Sequence, residues 1–392
     1  MARKPILLSW QASNTSGWGV VGLNLFYQWA MSEDVQPVMG QPIRDVLLSE
    51  IDPSRVDRFC SFVVNSNQFA ARLAVTTAAG PVKLDMPVVR SFGNGFRSRF
   101  AATGLWNIAR PVFEDTNLEG ALTGLDGFDA IVCASSWNAD LLRDRVRAPV
   151  LKLHEAVDHA LFHPAPKLGF LSPDRFYIFT GGKIEYRKSQ DLVLMAFREF
   201  SRRHDDAVLV TAWRSPWPQL ADGFQGRLQA PARLRADGEI DIVRWVADNG
   251  VDPAKVIDLG QLPNQVMPKF LREVDCALQP SRAEAANNLM AMEAMACGAP
   301  TILARNTGVT DIITPDNCIA LERQSPVLAG PPGWGCDGWG ESDVEEIVEA
   351  LERLYFSADL RRSVGQAGSA FMQERTWEGH AAALKAVALE RL

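Results

Sequence analysis

The sequence predicts an α/β protein of two domains, each built on a parallel sheet covered by helices. Three observations carry this. With 392 residues, 47% of them hydrophobic, the chain exceeds one compact core and suffices for two. Short apolar, β-rich runs recur between helix-like stretches: Pro5–Ser9, Val35–Met39, Ala130–Cys133, Arg175–Thr180, Ala207–Thr211, Val256–Leu259, Cys276–Gln279 and Pro300–Ala304. Such alternation is what parallel strands with helical crossovers require. Finally, Phe162–Pro173 has the Pro/Gly chemistry of a linker between two such blocks, which sets the domains at 1–165 and 166–370, followed by a last segment, 371–392.

Composition excludes several function classes. The net charge is −7 and the 40 basic residues are scattered, so the chain has no footprint for a nucleic-acid backbone. Arg3 and Lys4 precede only a short apolar stretch, too short for a signal-peptide core, and no apolar run approaches the roughly 18 residues of a spanning helix. Peripheral membrane contact stays open. Cys60, Cys133, Cys276, Cys297, Cys318 and Cys336 are widely spaced, with no Cys-x-x-Cys and no neighbouring histidine pair to make a zinc site. They read as buried thiols of a reducing cytoplasm.

Ligands of parallel sheets sit where strand ends lead into helix N-termini, so the chemistry is expected just after the strands. Thr180–Phe197 reads as a strand end, a Gly181-Gly182 loop with Lys183, Arg187 and Lys188, then an apolar-periodic helix. Cations on a glycine loop at a helix N-terminus favour an anion. After Cys276–Gln279 a loop carries Glu284, and a helix from about Asn288 is expected to bury Leu289, Met292 and Met295 and to present backbone donors near Asn287, Asn288 and Leu289. Glu284 and Glu293 bracket that anion site in a spacing that suits sugar hydroxyls joined by a phosphate, not a metal cage. Ala329–Gly340, rich in Gly and Pro, reads as a surface loop before an amphipathic helix, Asp343–Tyr355.

The two segments resemble the signatures of the retaining GT-B glycosyltransferases of the family 4 type. Gly182-Lys183-Ile184-Glu185-Tyr186-Arg187-Lys188-Ser189 is similar to that family's diphosphate loop, and Glu293-Ala294-Met295-Ala296-Cys297-Gly298 to the end of its Glu, seven residues, Glu motif. Glu155-Ala-Val-Asp158, Phe162-His-Pro164, Gly260, Asn306-Thr307-Gly308 and Thr376-Trp377 extend the likeness, which is stronger in the C-terminal half. The resemblance implies the GT-B fold, two Rossmann-like domains facing a central cleft, with segment 371–392 packing back on the first. It implies a nucleotide-sugar donor such as a UDP- or GDP-sugar, held by Lys183, Lys188 and the backbone of Asn287, Asn288 and Leu289, with Glu293 at the ribose and Glu284 at the sugar. Gly17 and Gly19 would close over the donor. Glu284 and Lys188 would be the catalytic pair, no cofactor or divalent metal would be needed, and the anomeric configuration would be retained. The acceptor, a glycan, lipid-linked glycan, protein or small molecule, is not identified.

The sequence departs from the family in three places. Lys183 replaces an arginine, keeping charge but losing the planar fork. Eight residues separate Glu284 from Glu293, so either Ala285 takes the first acidic position or the loop bulges by one residue between Ala285 and Asn288. The small side chains there favour the bulge. No histidine precedes His154, which leaves acceptor activation to Glu114 or to the donor phosphate. Three other readings stay open: a Rossmann NAD enzyme, from Gly17-x-Gly19-x-x-Gly22, a catalytically silent carbohydrate-binding or scaffold protein, and a sugar-nucleotide epimerase. The first is disfavoured because seven residues separate the first strand from Gly17 and no acid ends the second strand. For metals, no Asp-x-Asp occurs, only Glu239-Ile240-Asp241 in a charged stretch.

Overall fold

The computed structural model describes residues 3–43, 53–215, 217–224, 226–328 and 330–390. They form two compact units, Met1–Asp158 with Pro263–Gln265 and Arg375–Leu392, and His159–Leu262 with Val266–Glu374. The division at Asp158 falls ahead of the Phe162–Pro173 linker. No helix among the described residues is long and apolar enough to cross a membrane.

The first unit holds a six-stranded parallel sheet of β1 (Lys4–Leu8), β2 (Val35–Met39), β3 (Val88–Phe92), β4 (Asn107–Pro111), β5 (Ala130–Cys133) and β6 (Val150–Lys152). Their order is β2-β1-β3-β4-β5-β6. Helices α1 (Gly17–Met31), α2 (Pro53–Ala78) and α3 (Ser136–Arg143) lie along the crossovers. Ser16, in extended conformation, caps α1 by accepting from the Gly19 amide at 3.1 Å. Close packing explains the glycines of this turn. A Cβ on Gly19 would lie 2.0 Å from Ser13 Oγ, and one on Gly22 2.7 Å from Trp10 Nε1. The C-terminal helix, Trp377–Leu389, joins this unit. Trp29 Nε1 donates to Ala381 O and Trp106 Nε1 to Val387 O, both at 3.0 Å.

The second unit has its own six-stranded parallel sheet: β7 (Phe176–Gly182), β8 (Ala207–Trp213), β9 (Val256–Asp258), β10 (Cys276–Gln279), β11 (Thr301–Ala304) and β12 (Ile319–Leu321). The spatial order β9-β8-β7-β10-β11-β12 is that of a dinucleotide-type fold, reversing direction between β7 and β10. Around it pack α4 (Gln190–Arg203), α5 (Ile242–Asp248), α6 (Met267–Leu271), α7 (Leu289–Ala296), α8 (Val344–Phe356) and α9 (Ala358–Met372). The core joins sheet residues Ile178, Leu209, Leu278 and Ile302 to Phe197 of α4 and Ile347, Leu351 and Leu354 of α8. The predicted loop Ala329–Gly340 begins on a residue outside those described and is more than a surface loop. It is spanned by an antiparallel pair, β13 (Gln324–Pro326) and β14 (Gly340–Ser342), and its end, Trp339 and Gly340, is buried.

His380 on the C-terminal helix tests the first unit. Its ring is buried, with Nδ1 2.6 Å from His154 O. Burial, helped by the Arg110 charge, pushes its pKa down to about 4. An unfolded histidine titrates near 6.5, so between these values the unfolded chain holds the extra proton and stability falls as pH drops, by about 3 kcal/mol in all. Paired carboxylates add their loss only below the ordinary carboxylate range. Urea midpoints of the chain and of His380→Gln, compared from pH 7 to pH 4.5, are expected to show a much shallower slope in the variant; equal slopes would discard the assignment.

Candidate functional site

The reversal between β7 and β10 leaves a gap where their following loops diverge, and both predicted motifs start there. The Gln279 amide bridges the two strand ends, its nitrogen 3.1 Å from Gly181 O and its oxygen 3.0 Å from Gly181 N. Gly182 then adopts φ 128°, a region closed to other residues at low cost, and turns the chain into a single helical turn, Tyr186–Lys188. Ser189 follows in the left-handed region with φ 61° and starts α4. On the other side, Pro280–Asn288 leads into α7, whose cap is Asn288, left-handed at φ 60° and accepting from Ala291 N at 3.2 Å. The first amides of α7 have no intrahelical acceptor and face outward from the helix end.

Glu284 is the centre of a buried charge cluster. Its carboxylate accepts from Lys188 Nζ at 2.7 Å on both oxygens, from Arg187 Nη1 at 3.2 Å, from Ser281 Oγ at 2.7 Å and from Asn288 Nδ2 at 2.9 Å. Burial raises a carboxyl's pKa, but the Lys188 and Arg187 charges overcome it and hold Glu284 below the ordinary range. Burial lowers the Lys188 ammonium, against the pull of Glu284. Glu185 makes the second pairing, with Arg187 Nε at 2.7 Å and Lys183 Nζ at 3.3 Å. Lys183 is the most exposed of the cations and stands 4.8 Å from the Trp217 ring. Three cations against two carboxylates leave one positive charge on the loop.

Behind this cluster lies a second, neutral one. Arg282 and Asp191, both with fully buried side chains, form a two-pronged pair at 2.8 and 2.7 Å. Arg227 reaches Asp191 at 2.6 Å and Glu341 at 2.7 Å, and Arg282 Nε reaches Glu341 at 2.8 Å, which closes a ring of four charges. The Arg282 guanidinium lies 4.2 Å from the Tyr186 ring centre and donates to Tyr186 O at 2.8 Å. Its backbone N–H donates to Arg187 O at 2.7 Å, and its carbonyl accepts from Gly340 N at 3.0 Å.

Of the predicted residues, the second unit brings together Lys183, Lys188, Glu284 and Asn288. Glu293 is buried within α7. Asn287 turns its side chain inward, donating to Gly308 O at 2.9 Å and to Asp311 Oδ2 at 3.3 Å. Met292 and Met295 are fully buried, but Leu289, the first residue of α7, is only half-buried. Gly17 and Gly19 begin α1 in the first unit. Glu114, also in the first unit, follows β4, where Asn94 Oδ1 accepts from its amide at 2.8 Å. Sequence reading did not single out Ser281, Asp191 or Arg282, and it named Arg187 only as one of the loop's cations, with no role of its own in the site. For Arg187 the signal was present, three cations in six positions of one loop. Nothing along the chain links Asp191 to Arg282. Among the described residues no group of three or more His, Cys, Asp or Glu is placed to hold a metal ion.

The inner pair gives a stability prediction. Removing one partner of a buried ion pair strands the other, at a cost of about 3–5 kcal/mol. Arg282→Ala is expected to lose that much in urea unfolding, and the double replacement Arg282→Met with Asp191→Leu distinctly less. A single variant as stable as the parent chain would refute the dependence.

Comparison with known proteins bears on the fold and on the family of the second unit. The family model of glycosyl transferases group 1 matches residues 175–355. A D-inositol 3-phosphate glycosyltransferase of Segniliparus rotundus is 27% identical over 237 residues, 59% of this chain and 44% of that protein. A GDP-mannose-dependent alpha-(1-6)-phosphatidylinositol dimannoside mannosyltransferase of Mycobacterium tuberculosis is 23% identical over 209 residues, 52% of this chain and 48% of that protein. The chain thus spans about half the length of these curated relatives. Among solved structures, sucrose-phosphate synthase from Thermosynechococcus elongatus matches with TM-score 0.66 and 17% identity over 99% of both chains. Anabaena HepE in complex with UDP and glucose matches with TM-score 0.63 and 12% identity over 100% of both. The chain therefore has the GT-B fold, and its segment 175–355 is similar to the glycosyl transferases group 1.

Proposed function

We propose that the chain is a retaining glycosyltransferase that moves a sugar from a nucleoside diphosphate onto an acceptor hydroxyl. The observation that carries the reading is the surplus of positive charge on the Gly182–Lys188 loop, at the sheet reversal where α7 also begins. A diphosphate is the ligand such a surface favours. The relatives' printed names and the UDP bound to HepE support the donor class.

In this reading the second unit binds donor and the first serves the acceptor. Lys188, Arg187 and the amides around Asn288 and Leu289 take the diphosphate, with Lys183 at its exposed side. Glu293 takes the ribose and Glu284 the sugar hydroxyls. As the bond from the sugar's anomeric carbon to the phosphate oxygen breaks, charge grows on the leaving diphosphate, and these fixed donors stabilise it without reorganising. No divalent metal is assigned to that task. The acceptor oxygen bonds to the same anomeric carbon and gives up its proton to the leaving phosphate oxygen or to Glu114, the carboxylate assigned to the acceptor side.

Two measurements test this. Lys188→Ala is expected to weaken UDP or GDP binding by about 1.5–3 kcal/mol, the value of a charge-assisted hydrogen bond; unchanged affinity in calorimetry would sink the phosphate assignment. Incubation with a panel of UDP- and GDP-sugars in excess EDTA is expected to give donor hydrolysis or transfer above background. Complete loss restored by manganese would replace the metal-free mechanism, and nucleotide binding without turnover under either condition would favour a silent carbohydrate-binding protein.

A further inference from the structure

We propose that Glu284 is an internal counter-ion that the donor's diphosphate displaces, so that filling the phosphate site opens the sugar site. The inference rests on the assignment of the phosphates to Lys188 and Arg187, and it follows from counting lone pairs. A carboxylate offers about four acceptor positions. Oε1 of Glu284 accepts from Lys188 at 2.7 Å, Ser281 at 2.7 Å and Asn288 at 2.9 Å, while Oε2 accepts from Lys188 at 2.7 Å and Arg187 at 3.2 Å. A sugar hydroxyl finds no acceptor there while the two cations stay.

A diphosphate draws both cations away at once. Arg187 turns about its Nε bond to Glu185, which remains at 2.7 Å, and Lys188 pivots on a side chain lying against Gly182, where a Cβ would meet Lys188 Cδ at 3.7 Å. Glu284 itself stays in place, because Ser281 and Asn288 hold Oε1. The emptied Oε2 then accepts a hydroxyl of the sugar attached to that diphosphate. Phosphate and sugar are coupled through one carboxylate, and such coupling acts equally in both directions. A phosphate ligand without a sugar must break the ion pair and gains no hydroxyl in exchange.

Removal of the carboxylate therefore helps a bare diphosphate while harming transfer. The probe is inorganic pyrophosphate, which lacks base and sugar, titrated calorimetrically into the full chain and into Glu284→Gln, Glu284→Asp and Lys188→Ala. Glu284→Gln is expected to bind pyrophosphate at least tenfold more tightly than the parent, and Glu284→Asp, whose shorter side chain reaches the cations less well, to fall between them. Should Glu284→Gln not fold, as judged by its melting transition, Glu284→Asp decides alone. Equal or weaker binding in the deciding variant overturns the counter-ion role. If Lys188→Ala has meanwhile lost pyrophosphate, the phosphate site survives that failure; if Lys188→Ala binds it like the parent, the phosphate assignment itself is wrong.

Discussion

Asp191, in the first turn of α4, and Arg282, in the loop after β10, have side chains with no exposure to water and lie on either side of the sheet reversal. Once both charges leave solvent, each is tolerable only beside the other, because desolvation of a lone ion costs several kcal/mol. Their pairing therefore fixes the separation of the loop entering α4 from the loop leaving β10. Arg282 also binds the first loop through its backbone, its N–H meeting Arg187 O at 2.7 Å and its guanidinium meeting Tyr186 O at 2.8 Å. The backbone of Tyr186 and Arg187, from which the loop's cations project, is held by this attachment.

The two charge clusters differ in kind. The inner ring of Asp191, Arg282, Arg227 and Glu341 is neutral and saturated, with the Tyr186 ring over Arg282, so it supports shape and not ligand affinity. Its carboxylate Asp191 is held below the ordinary range by Arg282 and Arg227 despite burial. The outer cluster keeps one surplus cation. Rigid support behind a charged surface is what electrostatic stabilisation of a leaving group requires, since the donors then need not reorganise as charge develops.

The parallel sheets were legible because buried parallel strands are continuous apolar runs, as in Ala130–Cys133 and Cys276–Gln279. Val88–Phe92 and Asn107–Pro111 escaped notice although they occupy the middle of the first sheet. Arg90 and Arg110 break their apolar pattern, and Arg110 is tolerated only because it is buried against Glu155 at 2.8 Å. The loops of the second unit were legible as glycine and charge clusters. The inner ring was not, for its members lie 91 residues apart in the case of Asp191 and Arg282 and 59 in that of Arg282 and Glu341. Likewise the stretch before α8 carries surface-loop composition, yet Gly340 is needed at close quarters, since a Cβ there would come 2.5 Å from Gln324 Oε1.

The extra residue between Glu284 and Glu293 shows how tertiary anchors override spacing along the chain. Glu284 does not take its place by counting back from α7. Its N–H donates to Thr307 Oγ1 at 2.9 Å and its carbonyl accepts from Gly308 N at 3.0 Å, so the loop after β11 fixes both sides of its backbone. Glu293 is fixed independently by the phase of α7. Between them Asn288 is left-handed, with a φ of 60° that asparagine adopts at lower cost than most residues, while Ala285–Asn287 keep negative φ and Asn287 is turned inward to Gly308 O. Glu284 thereby faces Lys188 and Arg187 through contacts supplied by a third loop, and its position follows from those anchors and not from its spacing to Glu293.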